Sequence, residues 1–358
     1  MSAPSLSEIA LSMTSIAWPD PARETSFLNW LSPLTQRFAL RLETLSLASQ
    51  DASSRRYLRV RRQDGSSLIV MDAPDQVQQM HAFEQVAGQF SRSGLHVPQI
   101  LASDAELGFM LLEDLGQTTY LQALQDASPN RADQLMRAAI DALVTWQSRS
   151  DAAVLPAYDE AFVRRELDLF REWCVEREFQ QQWHAEQQKW WQHCCELLVK
   201  NALAQPQVAM HRDYMPRNLM VCEPLPGILD FQDAVRGPIA YDIASLLRDA
   251  FISWDEEREL DWAIRYWEAA RKAGLPVGDD FGELWRRIEW TGLQRHLKIL
   301  GIFCRLKHRD LRPHYAQDLP RFFAYAIKVS TRYVELSPLT HLLQALQGGL
   351  VQTGFDLR

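Results

Sequence analysis

Residues 211–220 read HRDYMPRNLM, and residues 228–233 read ILDFQD. The carboxylate of Asp213 stands five positions before the carboxamide of Asn218, and a second carboxylate, Asp230, follows twelve positions later. Phosphoryl transfer from a magnesium nucleotide asks for this set and little more: a base for the attacking hydroxyl, and hard oxygen donors for a metal that bridges the phosphates. Asp213 is the candidate base, and Asn218 and Asp230 are the candidate Mg²⁺ ligands. Magnesium keeps several waters and demands octahedral geometry, so one amide oxygen and one carboxylate from separate turns suit it better than a His or Cys cluster. The histidines offer no such cluster: His184 and His193 are nine apart and His308 and His314 six apart, so neither pair shares a helix face.

Composition narrows the partners. The 358 residues carry a formal net charge of -8, so no global positive field holds a nucleic-acid backbone or an anionic membrane, and any phosphate chemistry relies on local positive charge. With 47% hydrophobic and 23% charged residues, the chain is an ordinary globular protein long enough for one large or two fused domains. No stretch approaches the roughly 20 apolar residues that span a bilayer, and the N-terminal run lacks the basic and apolar blocks of a signal peptide. Five cysteines without a CxxC pair give no disulfide framework. These features predict a cytoplasmic protein with reduced thiols.

The elements that must position the motif follow from periodicity. Residues 1–22 read as a loosely ordered lead-in. Phe27, Trp30, Leu31 and Leu34 mark a helix over 23–36. Residues 38–47, 55–62 and 66–71 read as strands, with Asp64-Gly65 as a tight hairpin turn. A helix carrying Met80, Phe83, Val86 and Phe90 inward ends at Gly94, and 96–102 and 109–113 return to strand character. This defines an N-lobe over 23–116. Residues 117–358 form a mainly helical C-lobe that contains the catalytic loop, 211–218, and the metal-binding segment, 228–233, with short strands predicted at 208–210, 219–222 and 227–231.

HRDxxxxN followed by an aspartate after two hydrophobic residues resembles the signature of the protein-kinase-like fold. LLEDLG at 111–116 and LDFQDAVRGPIAYDIA at 229–244 look like the aminoglycoside and choline kinase branch. Together with DASSRRYLRV at 51–60 and LIVMDAP at 68–74, they resemble the anomeric amino-sugar kinases, which phosphorylate N-acetylmuramic acid and N-acetylglucosamine during bacterial cell-wall recycling. The resemblance implies an α+β, two-lobed fold with a small antiparallel-sheet N-lobe. It implies ATP and Mg²⁺ as cofactors, an amino sugar as acceptor, and a sugar 1-phosphate handed on to a nucleotidyltransferase. It makes Asp213 the catalytic base, Asn218 and Asp230 the metal ligands, and Glu113, Asp114 and Leu115 the hinge whose backbone pairs with adenine. Asp242 ties down the catalytic loop, and Glu84 matches the acid that ordinarily pairs with a strand lysine.

That lysine is absent: Met71 takes its place and Asp72 beside it has the wrong sign. Ser54, Arg55 and Arg56, at the loop entering the second strand, are the candidates for the phosphate contact. The alternative for these arginines is a solvated basic edge. Period two puts Arg55, Arg59 and Arg61 on one face and Arg56 and Arg62 on the other with Leu58 and Val60. Arg217, four residues after Asp213, is a second candidate catalytic residue, placed either to stabilise charge on the transferring phosphoryl group or as a structural ion pair. His211 braces the loop. The twelve tryptophans suit core packing or sugar stacking, with core packing the commoner use of an indole at helical spacing. Mixed charge over 160–200 fits a neutral or anionic acceptor at least as well as a polycation. The rivals are a kinase for aminoglycosides, choline or another amine, and a nucleotide-binding scaffold without transfer activity, which the missing lysine motivates.

Overall fold

The computed structural model describes residues 16, 18, 20–49, 55–74 and 76–352. Two compact units emerge: the chain up to Thr118 together with Met220–Asp233, and Thr119–Leu219 together with the chain from Ala234 onward.

The first unit opens on α1 (Pro21–Phe38). Asp20 caps it, its side chain accepting the Ala22 N–H at 2.8 Å, and Pro21 supplies a preset first-turn φ. Five strands follow: β1 (Leu40–Ser49), β2 (Arg56–Arg62), β3 (Ser67–Asp72), β4 (Ile100–Asp104) and β5 (Phe109–Glu113). They form one antiparallel sheet in the order β1-β2-β3-β5-β4, with α2 (Val77–Arg92) between β3 and β4. The hairpin joining β2 and β3 turns at Gly65, whose φ of 88° suits glycine, while Asp64 accepts the Ser66 N–H at 2.9 Å. Leu58 and Val60 on β2 face Val70 and Leu68 on β3, and all four are buried on one side of the sheet against Phe27, Leu31 and Phe109. Trp18, within the stretch expected to be loose, packs on this core with its ring 4.9 Å from that of Phe27. Its large apolar area anchors it there.

Sequence reading placed 228–233 in the helical lobe, but the structure packs this segment with the first unit. Val221 N–H donates to Thr118 O at 2.9 Å and Ile228 N–H to His96 O at 2.8 Å. The ring of Phe231 sits 4.7 Å from Phe83 and 5.4 Å from Phe90, completing the apolar face of α2.

The second unit contains α3 (Tyr120–Gln125), α4 (Pro129–Arg149) and α5 (Glu160–Leu169), which runs on as a π-helical stretch over Phe170–Glu178. Next come α6 (Ala185–Ala204), β6 (Gln207–Met210), β7 (Val235–Pro238) and α7 (Ala240–Leu247). The chain finishes with α8 (Glu256–Lys272), α9 (Phe281–His308), α10 (Leu319–Arg332) and α11 (Ser337–Gln352). The expected strands at 219–222 and 227–231 shrink to Leu219–Met220 and Gly227–Ile228, while β7, which was not expected, pairs antiparallel with β6. Its Val-Arg-Gly-Pro sequence is poor in strand formers, so only the pairing with β6 makes it a strand. Trp146, Trp183, Trp191, Trp262 and Trp290 are buried, so core packing is their use.

Helix α9 is buried through most of its length. At Gly301 its backbone lies so close to the end of α5 that an added Cβ would meet the Leu169 carbonyl carbon at 2.3 Å. Gly301→Ala is therefore expected to destabilise the protein, because overpacking worth about 1–3 kcal/mol outweighs the roughly 1 kcal/mol that alanine ordinarily gains in a helix interior. A lower denaturant midpoint supports this close approach; an unchanged or higher midpoint contradicts it. Among the described residues, no helix is long and apolar enough to cross a membrane.

Candidate active site

The candidate catalytic loop leaves β6 and is fastened before it reaches Asp213. Asp242, buried at the start of α7, accepts the His211 N–H at 2.7 Å and the Arg212 N–H at 3.0 Å. Arg212 takes a φ of 76°, a left-handed conformation that turns the chain sharply just ahead of Asp213. Burial pushes the Asp242 carboxyl up to about 7, although the two backbone N–H groups and Arg295 pull it down. His211 is fully buried and accepts the Asp213 N–H through Nδ1 at 3.3 Å, which puts the ring proton on Nε2. Both residues hold the loop in the way the sequence reading expected of them.

Asp213 is partly exposed, and Asn218 stands behind it, its Nδ2 donating to Asp213 O at 2.9 Å. That bond orients the amide so that its oxygen, a hard donor, points away from the main chain of Asp213. Tyr214, fully buried, pins the loop from beneath by donating to Ala139 O at 2.7 Å.

The electrostatic setting of Asp213 comes from residues that motif reading missed. Burial raises its carboxyl, but the charges of Lys298, Arg212 and Arg295 outweigh burial and hold it below the ordinary carboxylate value. Lys298 and Arg295 share one face of α9. Lys298 Nζ lies 2.8 Å from Glu166 Oε1 and 3.3 Å from Tyr241 Oη. Arg295 donates to Arg212 O at 3.0 Å and lies over the Tyr241 ring, 4.7 Å from its centroid. Glu166 on α5 also takes the Tyr158 hydroxyl at 2.5 Å and lies 3.8 Å from Arg212 Nη2. The visible signal for this cluster was Gln294, Arg295 and Lys298 inside the otherwise apolar run of α9, where a polar residue needs a buried partner.

Lys298→Met removes the cation that does most to hold Asp213 ionised, while Arg212, Arg295, His211 and the opposing carboxylate of Asp242 remain. Losing a favourable charge raises an acid's pKa, so the acidic limb of the kcat/KM profile is expected to move up by about one pH unit. Lys298→Arg keeps the charge and is expected to leave the limb in place. A limb that stays put in Lys298→Met removes this role from Lys298.

Arg217 lies in the short helical turn Pro216–Asn218, its guanidinium 5.2 Å from the Phe251 ring centroid. For Arg217→Ala, turnover is expected to fall about 100-fold, the scale of losing one transition-state donor, with a smaller change in nucleotide affinity. Unchanged turnover assigns Arg217 to structure alone.

In the first unit, Asp230 has a φ of 61°, and its Oδ1 accepts from Gln232 Nε2 at 2.9 Å. Asn218 belongs to the second unit and Asp230 to the first. Both offer hard oxygen, the donor chemistry that fits Mg²⁺. The Glu113 N–H donates to Gln99 O at 2.9 Å, and its carboxylate takes the Gln99 N–H at 3.2 Å. The Asp114 side chain is occupied by Arg59, Nε to Oδ2 at 2.6 Å, and by the Ser67 hydroxyl at 2.6 Å; it holds the turn into Leu115, which is buried.

Of the phosphate candidates, Ser54 lies outside the described residues, and Arg55 enters β2. The Arg56 guanidinium is engaged by Asp72, which is 1% exposed and also held by Arg23 at 2.6 Å. The wrong-signed neighbour of Met71 is therefore answered locally, and Arg56 carries that charge balance. Met71 is buried in β3, and Glu84 accepts the Ser103 hydroxyl at 2.6 Å, a different partner from the strand lysine of the usual arrangement.

Residues 44–281 match the family model described as the phosphotransferase enzyme family. The chain belongs to that family. It is 49% identical over 302 residues to an N-acetylmuramate/N-acetylglucosamine kinase from Pseudomonas aeruginosa, covering 84% of this chain and 88% of the relative. A protein of the same name from Neisseria meningitidis is 46% identical over 335 residues, covering 93% of this chain and 99% of the relative. Among solved structures, an ADP-bound aminoglycoside phosphotransferase aligns with a TM-score of 0.57 at 14% identity, over 82% of this chain and 96% of that one. A choline kinase from Streptococcus pneumoniae aligns at 0.58 and 11% identity, over 85% and 99%. At these identities the likeness is one of fold, and it gives this phosphotransferase the α+β protein-kinase-like architecture.

Proposed function

We propose that this phosphotransferase is an ATP-dependent kinase that transfers the γ-phosphoryl group to the anomeric hydroxyl of N-acetylmuramic acid and N-acetylglucosamine, giving the sugar 1-phosphate in peptidoglycan recycling. The observation that carries the reading is the ionised Asp213 set among Lys298, Arg212 and Arg295. The names of the relatives point the same way.

In the reaction, Asp213 takes the proton as the sugar oxygen bonds to the γ-phosphorus and the bond to the departing ADP oxygen breaks. Asn218 and Asp230 are the residues to hold Mg²⁺, which neutralises charge on the phosphates when bound. Loop fastening by Asp242, His211 and Tyr214 keeps the base aligned, and alignment supplies much of the rate. An anomeric hydroxyl is more acidic than an ordinary sugar alcohol, so modest base assistance serves it. Glu113, Asp114 and Leu115 are assigned to adenine through their backbone, and Ser54 and Arg55 to the phosphates. The sugar 1-phosphate is suited to a downstream nucleotidyltransferase.

Release of ADP across an acceptor panel tests the assignment. Turnover with both N-acetylated sugars, lost in Asp213→Ala, supports it. Inert amino sugars together with turnover of choline or an aminoglycoside would overturn it in favour of the amine-kinase reading.

A further inference from the structure

Gln232 lies two residues beyond Asp230 in the candidate metal-binding segment. Asp230 is exposed, whereas Gln232 is 5% exposed and follows Phe231, whose ring is packed on Phe83 and Phe90. The left-handed backbone of Asp230, with its φ of 61°, turns the chain here, and the Gln232 carboxamide comes back onto the aspartate. Its Nε2 donates to Asp230 Oδ1 at 2.9 Å and stands 3.4 Å from Asp233 Oδ2. All of these residues belong to the first unit.

The two carboxylates fix which way the amide faces. Reversing it would set the carbonyl oxygen against both of them, so the NH₂ group faces the acids and Oε1 faces away. Oε1 is buried and has no hydrogen-bond partner among the described residues. A buried acceptor in that state is costly, and the cost is relieved by whatever brings it a donor. Magnesium has the chemistry to do so: it takes the hard oxygen of a carboxylate such as Asp230 and keeps several waters, each with O–H groups to give.

The bond to Oδ1 has an energetic consequence as well. An exposed aspartate side chain samples several rotamers, and those that turn away from a metal must be given up when the metal binds. A bond from a buried amide selects one rotamer in advance, so less order is lost on binding.

We propose that Gln232 is a positioning residue for the metal: Nε2 holds the Asp230 carboxylate in its ligating orientation, and Oε1 accepts a hydrogen bond from a water that Mg²⁺ retains. The inference rests on Asp230 being a metal ligand of the proposed kinase.

Binding of Mn²⁺ to the ADP complex, with the full chain in excess over ADP and followed by electron paramagnetic resonance, reads the metal without turnover. Gln232→Met keeps the length of the side chain and deletes both polar ends. Its Mn²⁺ dissociation constant is expected to rise about 10–100-fold, the range found when the partner of a metal ligand is lost. Affinity for ADP in the presence of EDTA is expected to stay at the wild-type value, as it does in a folded enzyme. In an Asp230→Asn background the same substitution is expected to add less than about threefold, because both contacts work through a metal held at Asp230. Wild-type Mn²⁺ affinity in Gln232→Met overturns the inference. So does a full tenfold loss in the Asp230→Asn background, or a loss of metal-free ADP affinity as large as the loss for Mn²⁺. Wild-type Mn²⁺ affinity in Asp230→Asn alone would instead remove the metal-ligand role of Asp230 from the proposed function.

Discussion

Asp213→Asn is expected to lower kcat by about 10²–10³, with KM for ATP nearly unchanged. The substitution preserves shape, and the contacts that position residue 213 are made by its main chain: its N–H to His211 and its carbonyl from Asn218. What is lost is the acceptor for the hydroxyl proton. General base catalysis contributes about 10²–10⁴, and the acidity of an anomeric hydroxyl places the loss in the lower part of that range. Pre-steady-state measurement of phosphoryl transfer checks this with chemistry isolated from product release. A loss below about fivefold would show that the proton leaves by another route and that Asp213 is not the base.

For Asp230→Asn, turnover is expected to fall about 10³-fold, since a lost metal ligand removes several kcal/mol of charge stabilisation. Asp230 holds a φ of 61°, a region in which asparagine is as acceptable as aspartate, so the backbone stays as it is and the charge alone changes. Gln232, whose Nε2 donates to Oδ1, finds the same acceptor in the amide. The denaturant midpoint is accordingly expected to stay within about 0.5 kcal/mol of wild type. Magnesium titration of ATP hydrolysis and transfer distinguishes the causes: a metal ligand shows a raised Mg²⁺ requirement, whereas wild-type magnesium dependence with normal turnover would remove Asp230 from the metal site.

The motif residues were legible because phosphoryl transfer constrains their types and spacing within one short stretch. Hydrogen bonds join Asp213, Asn218, His211 and Asp242 around one loop, with Asp242 in the anchoring place that the family resemblance implied. The strands of the sheet were legible for a different reason, the alternation that buries Leu58, Val60, Leu68 and Val70 on one face. The Arg56–Asp72 pair corrects the expectation of a phosphate contact for Arg56, because the hairpin register sets the two residues opposite each other.

Long-range electrostatics were not legible. Glu166, Arg295 and Lys298 lie far along the chain from Asp213, and although the apolar run of α9 calls for buried partners for Arg295 and Lys298, nothing local names Asp213 as their neighbour. The strand β7 escaped because pairing with β6 overrides its weak propensity. The placement of Asp230 with the first unit escaped because it depends on Phe231 finding Phe83 and Phe90, a packing choice with no short-range signature.

The position of the new phosphate on the acceptor tests the account most directly. With ATP and N-acetylmuramic acid or N-acetylglucosamine, phosphorus–proton correlation in the purified product is expected to couple phosphorus to the anomeric proton. The same enzyme is expected to release one ADP per sugar consumed. Phosphorus coupled to the C6 protons, or no phosphosugar beside an active amine acceptor, would contradict it.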